Sequence, residues 1–311
     1  MASPNDGLRL PPPWISSAAG KPDREVREVI TVERRRPSST LWTFANTATE
    51  AWLLPNDAGS ITTTSGALSQ IRDFKGNGRA FDGATGSRPT ITANALNGKA
   101  AMTFNGSQWL TSAGAVSVWK MLHDTSGSTI VAVWKAGTNS SPNALMALLG
   151  TNAVSSANVG TYIAYDDRTS VPRNDRVLAQ VSGGGTTVVG NVSGDGAHPG
   201  GTPVIITHIS DPGNSVPANR SILRVNGVPI QNNTATSTPS SANPSFLLQV
   251  GAGGNNAFPL LGEIYEIGIM PGASLATAQL AEGYLAGPVA GWDLQSILAA
   301  GHPWKSSAPT V

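Results

Sequence analysis

The segment GEIYEIGIM, residues 262–270, is rich in apolar and β-branched residues and therefore favours a β-strand. It also carries Glu263 and Glu266, and paired carboxylates are the catalytic groups of most glycoside hydrolases. Side chains alternate between the two faces of a strand, so the odd separation predicts that these carboxylates lie on opposite faces unless a bulge intervenes. Carboxylates on opposite faces cannot flank one glycosidic bond. The segment is therefore predicted to be structural, and the chain is predicted not to be an enzyme.

Eight further short segments have the same β-rich character, and turn residues separate them. The chain holds 35 Gly and 22 Pro and is only 13% charged, a composition that favours hairpins over helices. Asn226-Gly227 is the strongest two-residue hairpin signal, and residues 274–287 suit a short helix capped by Ser274. The pattern predicts an all-β antiparallel sandwich or barrel with one short C-terminal helix. Its other strands are expected at residues 100–106, 128–136, 143–151, 161–167, 176–182, 202–210, 221–230 and 246–253.

The composition also excludes several classes of function. The 311 residues include no cysteine, so the chain has no disulfide, thiolate metal site or thiol nucleophile. A formal net charge of +1 gives no field that would attract nucleic acid, and no apolar run reaches the roughly 20 residues that a membrane helix needs. The four histidines lack the close spacing of a metal-binding helix. We expect neither nucleic acid binding nor membrane insertion.

The N-terminal 40 residues differ in character from the rest. Residues 21–36 hold ten charged side chains, about a quarter of the total, and the prolines at 11–13 favour an extended conformation. We expect residues 1–40 to form an extended arm outside the core; a disordered tail is the alternative for this composition. The segment EVITVE (28–33) is suited to adding a strand to a neighbouring sheet. Arginines pair with acidic groups and tryptophans anchor in pockets, so the expected assembly residues are Trp14, Val29, Ile30, Val32, Arg34, Arg35, Arg36 and, in the C-terminal tail, Trp304.

Candidate ligand-binding residues lie in turn-rich parts of the chain. Trp109 and Trp119 suit either the core or stacking on sugar rings. With the oxygen atoms of two nearby polar residues, the candidate sugar-binding set is Trp109, Trp119, Asp82 and Asn105. Asp166-Asp167 follow the strand TYIAY and are candidate calcium ligands, the alternative being a solvated strand end. No other cofactor is predicted.

Several segments occur in a recognisable order. Residues 86–112 contain RP, LNG and FNG in succession, and LRVNGVPI and GEIYEIGIM follow them. This order resembles that of concanavalin A-like lectin/glucanase domains of the laminin-G-like kind. The resemblance covers residues 41–295 and implies a jelly-roll β-sandwich, with residues 296–311 as a C-terminal tail. Within residues 51–81 the matching positions are Gln70, Asp73, Gly76, Asn77, Gly78 and Arg79.

The resemblance also bears on function. Catalytic members of the family carry E-x-D-x-x-E or E-x-D-x-E, and no such string occurs here, which implies a binding or structural domain. The segment LAAGHPWKSSAP (298–309) is similar to tails of phage and prophage structural proteins, which implies a virion component. We therefore predict a virion structural protein, assembled in the cytoplasm of the bacterial host, that displays a lectin-like domain anchored by its arm. It is expected to be a head decoration, a fibre or a tail-associated protein.

The expected partners are other virion proteins, further copies of the same chain and a host surface glycan. A free carbohydrate-binding lectin is the alternative interpretation. A glycan hydrolase is the third, and the spacing of Glu263 and Glu266 disfavours it.

Overall fold

The computed structural model describes residues 41–137, 143–168, 173–185, 187–230, 238–288 and 291–310. The predicted arm lies outside the described residues, and so do its expected assembly residues Trp14, Val29, Ile30, Val32, Arg34, Arg35 and Arg36. The described part of the chain forms one α-helix, α1 (Leu275–Ala286), and seventeen strands. The predicted all-β class with one short C-terminal helix is confirmed.

The strands are β1 (Ala51–Leu53), β2 (Ile61–Thr64), β3 (Ala67–Arg72), β4 (Ala80–Asp82), β5 (Thr90–Leu96), β6 (Lys99–Asn105), β7 (Leu110–Ser112), β8 (Ser128–Ala136), β9 (Asn143–Gly150), β10 (Val159–Arg168), β11 (Arg173–Gly183), β12 (Thr187–Val192), β13 (Val204–Ser210), β14 (Ser221–Val225), β15 (Val228–Ile230), β16 (Gln249–Val250) and β17 (Leu261–Pro271). β1 to β5, β7 and β12 lie outside the expected segments, and β1, β4 and β7, with three residues each, are too short to give a sequence pattern.

The strands form two antiparallel sheets that pack face to face and are joined by one pair between β3 and β5. In the first sheet the order is β15-β14-β13-β8-β17, and β17 also pairs with β1 and with β6, which continues to β5. In the second sheet the order is β2-β3-β4-β7-β16-β9-β10-β11-β12. Inward side chains of both sheets share one core, which includes the large rings of Phe81, Phe104, Trp119, Trp134 and Tyr165.

A third layer covers the outer face of the first sheet. It consists of α1 together with residues 41–46 and 291–298, and we call it the helix layer. The helix begins after Ser274, whose Oγ accepts a hydrogen bond from the Thr277 N–H at 3.1 Å, as the sequence predicts. Apolar side chains of the helix pack there against Trp42, Phe44 and Trp292. No helix among the described residues is long and apolar enough to cross a membrane.

The predicted hairpin at Asn226-Gly227 is present between β14 and β15. Val225 pairs with Val228, and the two turn residues have φ values of +52° and +80°. Both values lie in the left-handed region that a type I′ turn requires, which is why asparagine followed by glycine is the favoured pair.

The two glutamates of β17 lie on the same face of the first sheet, so the prediction of opposite faces is wrong. On the neighbouring strand β8, Glu263 pairs with Lys135 and Glu266 pairs with Val133. The partners are two residues apart although the glutamates are three apart. The extra residue is Tyr265, a β-bulge that shifts the alternation by one. The Val133 side chain faces the helix layer, so both carboxylates point to that side of the first sheet.

Glu266 is fully buried within the helix layer. Its Oε1 accepts from Trp52 Nε1 of β1 at 2.7 Å, and its Oε2 accepts from Trp292 Nε1 at 2.7 Å. Burial raises the pKa of Glu266 to about 7, although hydrogen bonds from Trp292, Trp52 and Tyr284 oppose the shift. The Glu266 side chain therefore links β1, β17 and the segment after α1 through hydrogen bonds.

Replacing Glu266 with glutamine should cost more stability than the same change at Glu263. The glutamine amide presents N–H groups to one of the two indole donors, which then loses its acceptor while buried. We expect the free energy of unfolding to fall by about 1–3 kcal/mol at pH 5.5. Glu263 is partly exposed and lies 2.8 Å from Lys135 Nζ, so Glu263→Gln should cost less than about 1 kcal/mol. Urea unfolding followed by tryptophan fluorescence measures both, and equal losses would contradict the role assigned to Glu266.

The raised pKa of Glu266 also predicts a pH dependence of stability. The folded protein keeps this proton up to about pH 7, whereas the unfolded chain releases it near pH 4.5. In that interval the folded state binds more protons, so stability falls as the pH rises. From pH 5.5 to pH 8 this group should lower the free energy of unfolding by about 2 kcal/mol. The difference between the wild-type and Glu266→Gln profiles isolates the effect, and parallel profiles would contradict it.

Candidate functional site

Trp119 belongs to the core, so its prediction as a sugar-stacking residue is wrong. It lies in a 3-10 helix, Val116–Leu122, and has no exposed surface. Its indole Nε1 donates to Ser112 Oγ at 2.9 Å, and its ring packs against Phe81 with the centroids 5.8 Å apart. A ring enclosed in this way cannot stack on a ligand.

The other three candidate sugar-binding residues lie on β4, at the end of β6 and just before β7. Phe81 of β4 points into the core, so Asp82, the next residue, points outward and is exposed. Asp82 pairs with Thr111 of β7, and Trp109, two residues before Thr111, is partly buried. Asn105 is exposed at the end of β6, and the turn that follows it leads directly to Trp109. The structure therefore brings these three residues to one region of the surface.

A row of polar side chains crosses the outer face of the second sheet beside Trp109. Gln70 of β3 pairs with Asp82, which pairs with Thr111. Thr111 in turn pairs with Gln249 of β16. Gln70 Nε2 donates to Asp82 Oδ1 at 2.7 Å, and Gln249 Nε2 donates to Thr111 Oγ1 at 3.2 Å. We call Gln70, Asp82, Thr111 and Gln249 the polar row.

Further residues extend the polar row at both ends. Arg72 Nε donates to Gln70 Oε1 at 2.7 Å, and the backbone N–H of Asn256 donates to Gln249 Oε1 at 2.7 Å. Asn256 and the nearby Phe258 have φ values of +59° and +51°. A bulky residue with such a φ is held there by its surroundings, a situation that clusters at functional sites. Phe258 is 45% exposed, so the loop after β16 presents an aromatic ring two residues after Asn256.

This surface is chemically suited to a ligand rich in hydroxyl groups. Carboxylate and amide oxygens accept hydrogen bonds, amide N–H groups and hydroxyls donate them, and sugar hydroxyls do both. Trp109 and Phe258 add ring surface of the kind that packs on the apolar face of a sugar. Residue type alone pointed to Trp109, whereas Gln70, Thr111 and Gln249 were missed because they align only through the pairing of four strands.

Asp166 and Asp167 do not converge on one site, as the calcium prediction requires, because consecutive strand residues point to opposite faces. Asp166 is 1% exposed, so it is not a solvated strand end either. Arg168 donates to its two oxygens at 2.7 and 2.9 Å, and an Arg176 nitrogen lies 3.8 Å away. These guanidinium groups supply the positive charge that a cation would. Among the described residues, no group of three or more His, Asp or Glu side chains is placed to hold a metal ion.

Trp304 packs on α1, so it is not the unpacked anchor that its place in the tail predicts. A Cβ on Gly283 would come within 2.4 Å of Trp304, and only glycine admits this approach. Nearby, His302 Nε2 lies 2.8 Å from Glu282 Oε2, and Arg224 Nε donates to Glu282 Oε1 at 2.7 Å. Burial opposes the ionisation of Glu282, but His302 and Arg224 outweigh it and lower the pKa of this carboxyl. The buried contact between His302 and Glu282 fastens the tail to α1, and partner binding by the partly exposed Trp304 ring stays a prediction.

The two ends of the domain lie side by side. Leu41 and Thr310 form an antiparallel bridge, and the Trp42 N–H donates to the Pro309 carbonyl at 2.9 Å. Trp42 belongs to the helix layer, which covers the outer face of the first sheet. The polar row lies on the outer face of the second sheet. The chain therefore enters the domain on the side opposite the polar row.

No protein-family model and no curated protein sequence matches this chain. Among solved structures, the botulinum neurotoxin serotype D binding domain is similar with a TM-score of 0.50 and 10% identity, over 76% of this chain and 52% of that chain. Ruminococcus gnavus IT-sialidase CBM40 bound to α2,3-sialyllactose gives a TM-score of 0.37 and 14% identity, over 50% of this chain and 81% of that chain. A mutant of NanB sialidase from Streptococcus pneumoniae gives a TM-score of 0.38 and 16% identity, over 57% of this chain and 26% of that chain. The likeness to the toxin domain supports the all-β jelly-roll fold.

The surroundings of Asp166 predict a role in stability. Asp166→Ala removes the partner of Arg168 and Arg176, and because both guanidinium groups are partly exposed we expect a loss of about 1–2 kcal/mol. Asp82→Ala, an exposed control on the same sheet, should change stability by less than about 0.5 kcal/mol. Thermal unfolding measures both. A rise in melting temperature on adding calcium that Asp166→Ala abolishes would instead restore the calcium site.

Proposed function

We propose that this chain is a carbohydrate-binding protein whose sandwich is displayed on a larger particle by its N-terminal segment. The proposal rests on the separation between the face where the chain enters the domain and the opposite face, which bears the polar row. The chain enters the helix layer at Leu41, beside Thr310, whereas Trp109 and the polar row lie on the second sheet. A domain attached through one face leaves the opposite face free for a ligand.

The polar row with Trp109 is the proposed glycan surface. Its members are already hydrogen-bonded to one another, so they lose little freedom when a ligand binds. The carboxylate of Asp82 and the guanidinium of Arg72 are both held by Gln70. Their opposite charges balance, so the surface suits a neutral glycan better than a strongly charged one.

The particle is, in this proposal, a phage virion, as the resemblance of the domain and of the tail implies. Arg34, Arg35 and Arg36 would pair with acidic groups on neighbouring virion proteins, and the segment 28–33 would add a strand to a neighbour's sheet. Several copies of the chain on one particle would multiply a weak affinity for a host surface glycan.

The proposed role is binding without turnover. Although Glu263 and Glu266 share a face, Glu266 is fully buried and its two oxygens accept from Trp52 and Trp292. Glu263 is engaged with Lys135. A carboxylate enclosed as Glu266 is cannot reach a glycosidic bond, so glycan hydrolysis stays the disfavoured alternative.

Binding to a glycan array tests the displayed surface. Trp109→Ala should weaken binding at least about tenfold, since it removes a ring contact worth about 1.4 kcal/mol or more. Trp109→Phe should retain part of the affinity. Val216→Ala changes an exposed apolar residue outside the second sheet and should leave binding unchanged. Wild-type protein that binds no glycan, or Trp109→Ala protein that binds as well as wild type, would overturn the carbohydrate role.

Incorporation into particles tests the attachment separately. We expect the joint replacement of Arg34, Arg35 and Arg36 by alanine to lower the copies per virion roughly tenfold, because several charge-assisted hydrogen bonds are lost. Quantitative mass spectrometry of purified virions gives the copy number, and glycan binding by the purified variant should be unchanged. Wild-type chain absent from virions would favour a free carbohydrate-binding lectin.

A further inference from the structure

One edge of the sandwich is closed by a side chain that crosses from one sheet to the other. Asn191 lies on β12, the last strand of the second sheet, and Ser221 begins β14 of the first sheet. The Asn191 Nδ2 donates to the Ser221 carbonyl at 2.9 Å and to the Ser221 Oγ at 2.8 Å. Both residues are buried, so these hydrogen bonds form away from water.

His208 of β13 contacts the same serine from within the core. Val204 and Ile206 belong to the core between the sheets, so His208, on the same face of the strand, also points inward. It has no exposed surface, and its Nε2 lies 2.9 Å from Ser221 Oγ. Its Nδ1 has no hydrogen-bond partner among the described residues. We call Asn191, Ser221 and His208 the clasp.

The partners of Ser221 determine which form of His208 completes the clasp. The Asn191 amide nitrogen only donates, so Ser221 Oγ accepts from it and directs its own proton to His208 Nε2. The imidazole is then neutral and carries its proton on Nδ1. A second proton, on Nε2, would make this nitrogen a donor, and the serine hydroxyl would lose the acceptor for its own proton. The clasp is therefore complete only while His208 is neutral.

Apolar side chains flank the imidazole within the first sheet. The strand partners of His208 are Ile130 of β8 and Leu223 of β14. Arg224 of β14 points to the other face, where it pairs with Glu282 of α1 in the helix layer. The described residues of the first sheet thus leave the imidazole facing apolar groups and the serine.

Charged and titratable groups on the neighbouring elements do not compensate a proton on the clasp. In the second sheet, Arg176 Nε of β11 lies 3.2 Å from an oxygen of Asp195, which follows β12. The 3-10 helix that contacts the end of β13 leads into His123, and burial lowers the pKa of that imidazole as well. Lys120 and Asp124 act on the pKa of His123 in opposite directions. Burial alone lowers the pKa of the clasp imidazole, to about 4, because a buried charge without a counterion is costly.

We propose that a proton on His208 releases Asn191 from Ser221, so that the edge ending in β12 separates from the first sheet while the rest of the domain stays folded. An exposed imidazole binds its proton at about pH 6.5, far above the value inside the clasp. Between these two values the open edge binds more protons than the closed edge, so opening becomes more favourable as the pH falls. Three strands, β9 to β11, separate β12 from β16, so the polar row lies outside the part that opens.

Hydrogen exchange of the backbone amides of the full chain, followed residue by residue in ¹H–¹⁵N spectra, measures this opening. After correction for intrinsic exchange rates, the opening equilibrium at β12 should rise about fiftyfold from about pH 7 to about pH 4.5, given a pKa of about 4 in the closed form and about 6.5 in the open form. Amides of β3 and β8 should keep their protection over this range. Protection that is lost equally at β12, β3 and β8, or at none of them, would overturn the proposal.

Three variants assign the response to the clasp. His208→Gln supplies an amide that can bond to Ser221 but cannot take up a proton, so the acid response at β12 should disappear. Asn191→Ala removes the crossing hydrogen bonds, so β12 should already exchange faster at neutral pH, and this variant serves as the test if His208→Gln does not fold. His123→Gln changes the buried histidine that follows the 3-10 helix and should leave the response unchanged.

Each variant can also refute the proposal. An acid response that persists in His208→Gln, or that His123→Gln abolishes, would show that His208 is not the group that titrates. Exchange at β12 that Asn191→Ala leaves equal to wild type at neutral pH would show that the crossing hydrogen bonds do not hold this edge.

Discussion

A single buried carboxylate organises the domain. Glu266 offers its two oxygens to two indole N–H groups, Trp52 from the first strand and Trp292 from the segment after the helix. An ionised carboxylate buried without donors costs far more than a hydrogen bond returns, and each buried indole needs an acceptor in turn. These three groups are therefore stable only when they are assembled together. Their assembly joins the closing strand to a residue 214 positions away in the chain, so the first sheet and the helix layer close as one unit.

The bulge at Tyr265 makes this arrangement possible. With strict alternation from Glu263, residue 266 would point into the core between the sheets, away from the indole donors of Trp52 and Trp292. The sequence pattern sufficed for the existence of this strand, for the helix after it and for the Asn226-Gly227 hairpin, because each depends on neighbouring residues only. A bulge depends on the pairing with β8, more than a hundred residues earlier. Spacing within one segment therefore could not reveal that both carboxylates share a face.

The candidate site, too, was predictable only where it depends on residue type, and not where it depends on the pairing of distant strands. Trp109 and Trp119 have the same side chain, yet one lies partly buried just before β7 and the other is enclosed in the core. The difference is set by the 3-10 helix that carries Trp119 against Phe81. The polar row is less visible still, because its members come from four strands spread over about 180 residues. Only the register of the sheet makes Gln70 and Gln249 parts of one surface.

If the domain is attached through its N-terminal segment, as proposed, the position of the chain ends gives the helix layer a mechanical role. Any pull on residue 40 first reaches the bridge between Leu41 and Thr310 and the Trp42 ring in the helix layer. Two buried acidic side chains hold that layer: Glu266 accepts hydrogen bonds from two indole groups, and Glu282 pairs with Arg224. Breaking a buried ion pair costs about 3–5 kcal/mol. Among the described residues, the second sheet joins the first through an apolar core, one strand pair and the hydrogen bonds that Asn191 of β12 donates to Ser221 of β14. In the proposed attachment, tension would thus be borne by the helix layer, and the register that aligns the polar row would be left undisturbed.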